Sequence, residues 1–262
     1  MSEKGRGGAV VTGAAQGIGR QIAMALLEDG FGVVVADIDA GVGERTVEEL
    51  AKAHPRRVIF SKADVTNRDE VKATVAACRK VFGTIDVMIN NAGFNKPEPF
   101  LEASEKTWRE IMDVNALGVL IGIQEAAKAM IADGVKGKII NTASIAGRSG
   151  FPDFAPYSAS KAAVISLTQA GARALASKGI TVNAFGPGVV DTPLWEKLDA
   201  DLLAMGASSK PGEAMGSLAS QILLGRVAKP TDVVGTVRFL WSPQSDYMTG
   251  QVLLIDGGMV LQ

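Results

Sequence analysis

Short runs of β-branched and aliphatic residues at 9–12, 31–36 and 58–61 alternate with longer stretches at 18–29, 43–53 and 69–82, where apolar residues recur at helical spacing. The rhythm continues with predicted strands at 85–90, 138–142, 181–184 and 252–255, and predicted helices at 105–113, 116–132, 157–177 and 232–241. Strands separated by helical crossovers predict parallel pairing, because parallel neighbours need a long return path. The pattern therefore predicts one doubly wound α/β domain over residues 1–262, built on a parallel sheet of about seven strands. One stretch, 187–225, departs from the rhythm. It is rich in Gly, Ser, Met and Pro, with weak helical pieces near 194–205, and its length inside a compact domain marks it as a substrate lid.

Charge and composition narrow the function classes. The 27 basic residues are matched by 28 acids and do not cluster on any predicted helix, so no nucleic-acid partner is expected. Residues 1–8 are polar and run straight into the first strand, and no apolar run approaches the roughly 18 residues of a membrane span. A cytoplasmic protein with no membrane partner is the expectation. Cys78 is the sole cysteine, which excludes an internal disulfide and a cysteine-based metal cluster, and it reads as a small half-buried helix residue. His54 is the sole histidine, in a polar stretch beside Pro55 where a solvated loop is expected. A Ser–His–acid triad would need this histidine beside a nucleophile, a zinc site would usually need more His or Cys ligands, and no metal is expected. Acid–base chemistry then falls to tyrosine, lysine or carboxylates.

Residues 12–19 read TGAAQGIG, after the first strand and at the mouth of the first helix. Gly13, Gly17 and Gly19, with Gln16 and Ile18 between them, have the spacing of a turn that brings backbone close to a pyrophosphate at a helix N-terminus. This is the dinucleotide fingerprint of a Rossmann fold. Asp37 closes the second strand, about where an acid meets the adenosine ribose. A 2′-phosphate there would face a like charge at a cost on the order of 1 kcal/mol or more, so NAD is expected over NADP. Asp39 is a nearby alternative, although the strand end favours Asp37. Asp64 and Val65, then Asn90, Asn91, Ala92 and Gly93, stand at the tips of the next strands, where they would flank the adenine and the nicotinamide ribose. Plain turn chemistry would also explain Asn91 and Gly93.

Tyr157 and Lys161 lie four residues apart at the start of a predicted helix, on one face. They follow the strand ending at Thr142 and the turn residue Ser144, so all three side chains can share one crevice. Together with NNAG at 90–93, Asn115 after Val114, and Pro187–Gly188 written PG, these motifs occur in the order of the short-chain dehydrogenase/reductase family, which the chain resembles over essentially its whole length. The resemblance implies a tetrad of Asn115, Ser144, Tyr157 and Lys161, with cofactor contacts extending to Pro187, Gly188, Val190 and Thr192. In that family the tyrosine is the base, the serine holds the substrate oxygen, the lysine also binds the nicotinamide ribose, and the asparagine supports a water. Bland alternatives are a strand-end cap for Ser144 and a helix N-cap for Asn115.

The segments GVVDTPLWEKLDADL, SDYMTGQVLLIDGGM and GKIINTASIAG most resemble the branch of acetoin or diacetyl reductases, butanediol dehydrogenases and polyol dehydrogenases. The implied substrate is a small secondary alcohol with a neighbouring oxygen. Phe94, Ile145, Phe151, Leu194, Trp195 and Met205 are placed to line its pocket if the lid folds over the nicotinamide, with ordinary packing as the alternative for each. The implied assembly is a homotetramer. Two rivals are an acyl-carrier-protein ketoreductase, which Asp37 and the near-neutral charge speak against, and a non-catalytic NAD-sensing regulator, which the intact tetrad speaks against.

Overall fold

A computed structural model describes residues 6–261; residues 1–5 of the polar opening segment, and Gln262, lie outside the described residues. The strands are β1 (Gly8–Thr12), β2 (Gly32–Asp37), β3 (Val58–Lys62), β4 (Ile85–Asn90), β5 (Lys138–Thr142), β6 (Thr181–Pro187) and β7 (Val252–Ile255). All pair in parallel, in the order β3-β2-β1-β4-β5-β6-β7. The helices are α1 (Gly17–Glu28), α2 (Ala40–Ala53), α3 (Arg68–Phe82), α4 (Glu105–Met112), α5 (Gly118–Ala132), α6 (Ala155–Leu175), α7 (Pro193–Ala204), α8 (Glu213–Ala219) and α9 (Pro230–Trp241).

Alternate residues of each strand enter opposite layers. Ala9, Val11, Val33, Val35 and Ile89 pack with Ile22 and Leu26 of α1 and with Val237 and Leu240 of α9. Val10, Val34, Met88 and Ile139 pack with Val75 and Cys78 of α3, Val119 and Met130 of α5 and Val164 of α6. Burial on both faces of β1 and β2 explains why those strands read as continuous apolar runs rather than alternating ones. Each fully buried aliphatic side chain contributes roughly 1.5–3 kcal/mol, so the two layers hold the sheet as a rigid platform. A polar clamp adds to one layer: Asp29, capping the C-terminus of α1, accepts hydrogen bonds from Arg238 Nε (3.0 Å) and Trp241 Nε1 (2.9 Å) of α9.

Three expectations need correction. First, the break predicted between 113 and 116 is absent, because α4 and α5 are joined through a π-helical turn, Asp113–Leu117. The resulting run Glu105–Ala132 is 28 residues long and, by length and composition alone, apolar enough to cross a bilayer. Its most apolar window is 67% buried in the protein, where α5 covers the sheet, so packing accounts for that character. Second, α8 has no counterpart among the predicted elements, since EAMGSLA offers almost no apolar period. Third, Cys78 is fully rather than half buried, and burial, with Asp86 nearby, pushes its thiol up to about 12.

The chain leaves β1 toward β2 and β3 and returns at β4 on the other side, which opens a crevice beyond the carboxyl ends of β1 and β4. Ligands of open α/β sheets sit at such a switch point.

Candidate active site

A cleft of about 430 Å³ occupies that crevice. It gathers Gly13, Gln16, Gly17, Ile18 and Gly19 from the first turn, and Asp37, Asp64, Val65, Asn91, Ala92 and Gly93 from the strand tips. Ser144, Tyr157 and Lys161 line it too, as do Pro187, Gly188, Val190 and Thr192 after β6. Of the predicted tetrad, only Asn115 lies behind the wall, fully buried.

The first turn is shaped for close backbone approach. Gly13 has φ 62°, and a Cβ there would stand 2.8 Å from the Cα of Ala92. A Cβ on Gly19 would stand 2.2 Å from the carbonyl oxygen of Gly13. The N-cap of α1, Gln16, makes no side-chain capping bond, so the first-turn N–H groups retain their capacity for an anion. Asp37 is anchored on both oxygens, accepting from Ala15 N (3.0 Å) and Asp39 N (3.1 Å), and keeps further acceptor capacity at the cleft wall. Asp39 is engaged elsewhere, its Oδ1 capping α2 by accepting from Val42 N at 3.0 Å. Asp64 likewise caps its own turn, accepting from Thr66 N and Oγ1 at 2.9 and 2.8 Å.

Asn91 ties three strand tips together. Its Nδ2 donates to the carbonyls of Thr12 (3.1 Å) and Gly13 (3.0 Å), and its Oδ1 accepts from Thr142 Oγ1 (3.3 Å). Thr12 Oγ1 accepts in turn from Asn91 N (3.0 Å) and Ala92 N (3.1 Å). Sequence reasoning overlooked Thr12 in this role; the one signal was its place at the end of a strand just ahead of the glycine turn.

Tyr157 and Lys161 project from the first turns of α6, which begins two residues before the predicted boundary with Pro156 in its first turn. Desolvation raises the pKa of the Tyr157 phenol, and a hydrogen bond with Ser144 opposes that rise. Ser144 Oγ also accepts from Ala146 N at 3.1 Å. Lys161 is only 4% exposed, donates to the Thr142 carbonyl at 2.8 Å, and stands 5.6 Å from the centre of the Tyr157 ring. Burial pushes its ammonium down to about 8. His54, by contrast, caps the C-terminus of α2 and meets Arg57 at 2.8 Å, outside the cleft lining.

Asn115 is not a helix N-cap. It lies inside the π turn, which inserts one residue into the helix and turns the side chain toward the cleft wall, a device frequent at functional sites. Its Oδ1 accepts from Phe94 N (3.0 Å), and its Nδ2 donates to Phe94 O (2.9 Å).

Helix α7, in the stretch predicted as a lid, contributes Leu194 and Trp195 to the cleft, which Phe94 also lines. Ile145, Phe151 and Met205 are not among the residues lining it. Ile145 is buried in a short turn after Ser144, Phe151 lines a separate groove with Phe100 and Ala155, and Met205 caps the far end of α7.

The family model described as enoyl-(acyl carrier protein) reductase matches residues 13–260. The chain is 45% identical to an L-2,3-butanediol dehydrogenase of Corynebacterium glutamicum, over 96% of this chain and 98% of that one. It is 42% identical to a diacetyl reductase [(S)-acetoin forming] of Staphylococcus epidermidis, over the same shares. Among solved structures, a sorbitol-6-phosphate 2-dehydrogenase from Erwinia amylovora superposes with TM-score 0.91 at 29% identity, covering 97% of this chain and 100% of that one. A short-chain type dehydrogenase/reductase from Mycobacterium marinum does so with TM-score 0.88 at 33% identity, covering 98% and 97%.

Proposed function

This chain belongs to the short-chain dehydrogenase/reductase family, and we propose that it moves hydride between NAD(H) and a small, uncharged vicinal diol, hydroxyketone or diketone. The observation that carries the substrate class is the lining of the cleft beside Tyr157 and Ser144. Phe94, Leu194 and Trp195 wall it, and among the described residues its one cationic side chain, Lys161, already donates to a carbonyl. A phosphorylated polyol would find no guanidinium there and no ammonium besides that of Lys161, which serves the proton-transfer pair, and burying its charge unpaired is costly. A four-carbon hydroxyketone, with one polar edge and short apolar ends, suits the same walls.

The residues fit a nicotinamide dinucleotide. The open turn at Gly13 and Gly19 and the free N–H groups of α1 suit its pyrophosphate, and Asp37 suits an adenosine ribose bearing free hydroxyls. When bound, the oxidised cofactor supplies the hydride acceptor and a positive charge near the phenol. The chain's own residues handle the proton. Tyr157 accepts the hydroxyl proton of the substrate in oxidation and returns it to the carbonyl oxygen in reduction. Ser144 holds the same oxygen by a hydrogen bond that strengthens as negative charge develops. Desolvation favours the protonated phenol, so oxidation depends on nearby positive charge, which Lys161 provides from the same helix face.

The test is a turnover screen of the purified protein with stereodefined butanediols, acetoin, diacetyl, hexitols and sorbitol 6-phosphate, each with both cofactors. Best turnover on four-carbon substrates with NAD(H) is expected. A preference for NADP of about tenfold, equivalent to ~1.4 kcal/mol, would overturn the cofactor assignment. Best turnover on the phosphate ester would overturn the substrate class. Asp37→Ala should narrow the NAD over NADP ratio, and an unchanged ratio would remove Asp37 from the ribose site. The proposal includes a homotetramer, which light scattering would weigh against the 27.3 kDa of one chain.

A further inference from the structure

The hydrogen bonds around Asn115 have only one consistent set of donor directions. Besides its two bonds with Phe94, Asn115 Nδ2 lies 3.1 Å from Ser160 Oγ, and Ser160 Oγ lies 2.7 Å from the carbonyl oxygen of Tyr157. A hydroxyl carries one proton, and the Tyr157 carbonyl can only accept it. Ser160 must therefore accept from Asn115, so the amide end facing it must be the nitrogen. A flipped amide would set Oδ1 against the Phe94 carbonyl and Nδ2 against the Phe94 N–H. Both amide protons of Asn115 are consequently committed. The side chain is a strut between the cleft wall and α6.

Ser160 is fully buried, stands between Tyr157 and Lys161 in sequence, and is not among the residues lining the cleft. Among the described residues it makes the one side-chain hydrogen bond between the turn Asp113–Leu117 and α6. We propose that Ser160 is a positioning residue for the proton-transfer pair, joining the π turn, the Phe94 wall and the first turn of α6 into one unit. The proposal rests on the reading of Tyr157 as the group that exchanges a proton with the substrate. Without the Ser160 hydroxyl, one buried amide proton of Asn115 has no acceptor, and nothing on the α6 side specifies which way the amide faces. The wall and the helix can then shift against each other, while the turn at 13–19, held by Asn91 and Ala92 rather than by Asn115 or Ser160, keeps its shape.

Two variants of the full-length protein test this, Ser160→Ala and Ser160→Thr, assayed with the best diol or hydroxyketone. The expected result for Ser160→Ala is a fall in kcat of about tenfold or more, as small misplacements of reacting groups produce, with substrate KM and NADH affinity held within about twofold. Ser160→Thr, which keeps the hydroxyl, should restore kcat. A side-chain amide NMR spectrum supplies the second readout. In the unaltered protein both Asn115 amide protons exchange slowly, and in Ser160→Ala one of them exchanges fast. Unchanged kcat in Ser160→Ala, a parallel loss of NADH affinity, or an unchanged amide signal would each overturn the proposal. If the unaltered protein turns over none of the substrates, the functional reading fails, while the amide signal still decides whether Ser160 orients Asn115.

Discussion

Replacing Lys161 with methionine should make the free protein more stable at neutral pH while removing its activity. The lysine is 4% exposed and, among the described residues, donates to a single carbonyl and has no carboxylate as a hydrogen-bond or ion-pair partner. Burial lowers its pKa from 10.5 to about 8. That difference corresponds to about 3 kcal/mol of penalty on the charged form in the folded state. Below about pH 8 the amine is charged in both states and the folded protein bears the whole penalty. As pH rises toward 10.5 the folded amine is neutral while the unfolded chain still holds its proton, and the penalty vanishes. Methionine keeps the apolar stem, removes the charge, and gives up a hydrogen bond worth about 1 kcal/mol. The variant should thus be more stable by about 2 kcal/mol at pH 7 and less stable by about 1 kcal/mol near pH 10.5. Urea unfolding of both proteins at fixed concentration across that range measures the difference. A variant destabilised at pH 7, or a difference that does not vary with pH, would refute the reasoning.

Other outcomes follow from the same geometry. Tyr157→Phe should abolish most turnover and leave NADH binding, read by nicotinamide fluorescence, nearly intact; substantial residual activity would remove the phenol from the proton path. Because desolvation raises the phenol pKa, diol oxidation should speed up as pH rises and carbonyl reduction should be favoured at lower pH, a contrast that initial rates in the two directions would reveal. Gly19→Ala, with a Cβ 2.2 Å from the Gly13 oxygen, should weaken NADH binding by at least tenfold, or ~1.4 kcal/mol, in an equilibrium titration. Cys78, buried with its thiol near 12, should resist thiol reagents until the protein unfolds, and modification of the native protein would contradict that burial.

The alternation of short strands with amphipathic helices leaves a clear mark on a sequence, and β4, β5 and β7 begin and end where that pattern predicts them. Tyr157, Lys161 and Ser144 were legible because the strand preceding them fixes where they emerge. The π turn was not. One extra residue in an amphipathic helix alters the apolar period too little to detect, and Asn115 there looks like a cap between two helices. Thr12 and Ser160 escaped notice because a hydroxyl at a strand end or in a helix has no periodic signature; its meaning comes from partners distant in sequence. For Ile145, Phe151 and Met205, proximity in sequence to the site was a poor guide, since side-chain direction in turns and at helix ends is set by tertiary packing.

The π turn also makes chain length, apart from residue identity, a determinant of the site. Deleting one residue from Asp113–Leu117 would improve the helix by local criteria and leave its composition almost unchanged. It would also advance α4 by about 100° relative to α5. Thr107 on α4, which donates to Glu98 Oε1 at 2.6 Å, would leave the segment that continues from Phe94, and the Asn115 amide would turn away from its partners. The helical phase between α4 and α5 is therefore part of what specifies the candidate site, and a shorter, more regular helix would be the wrong one.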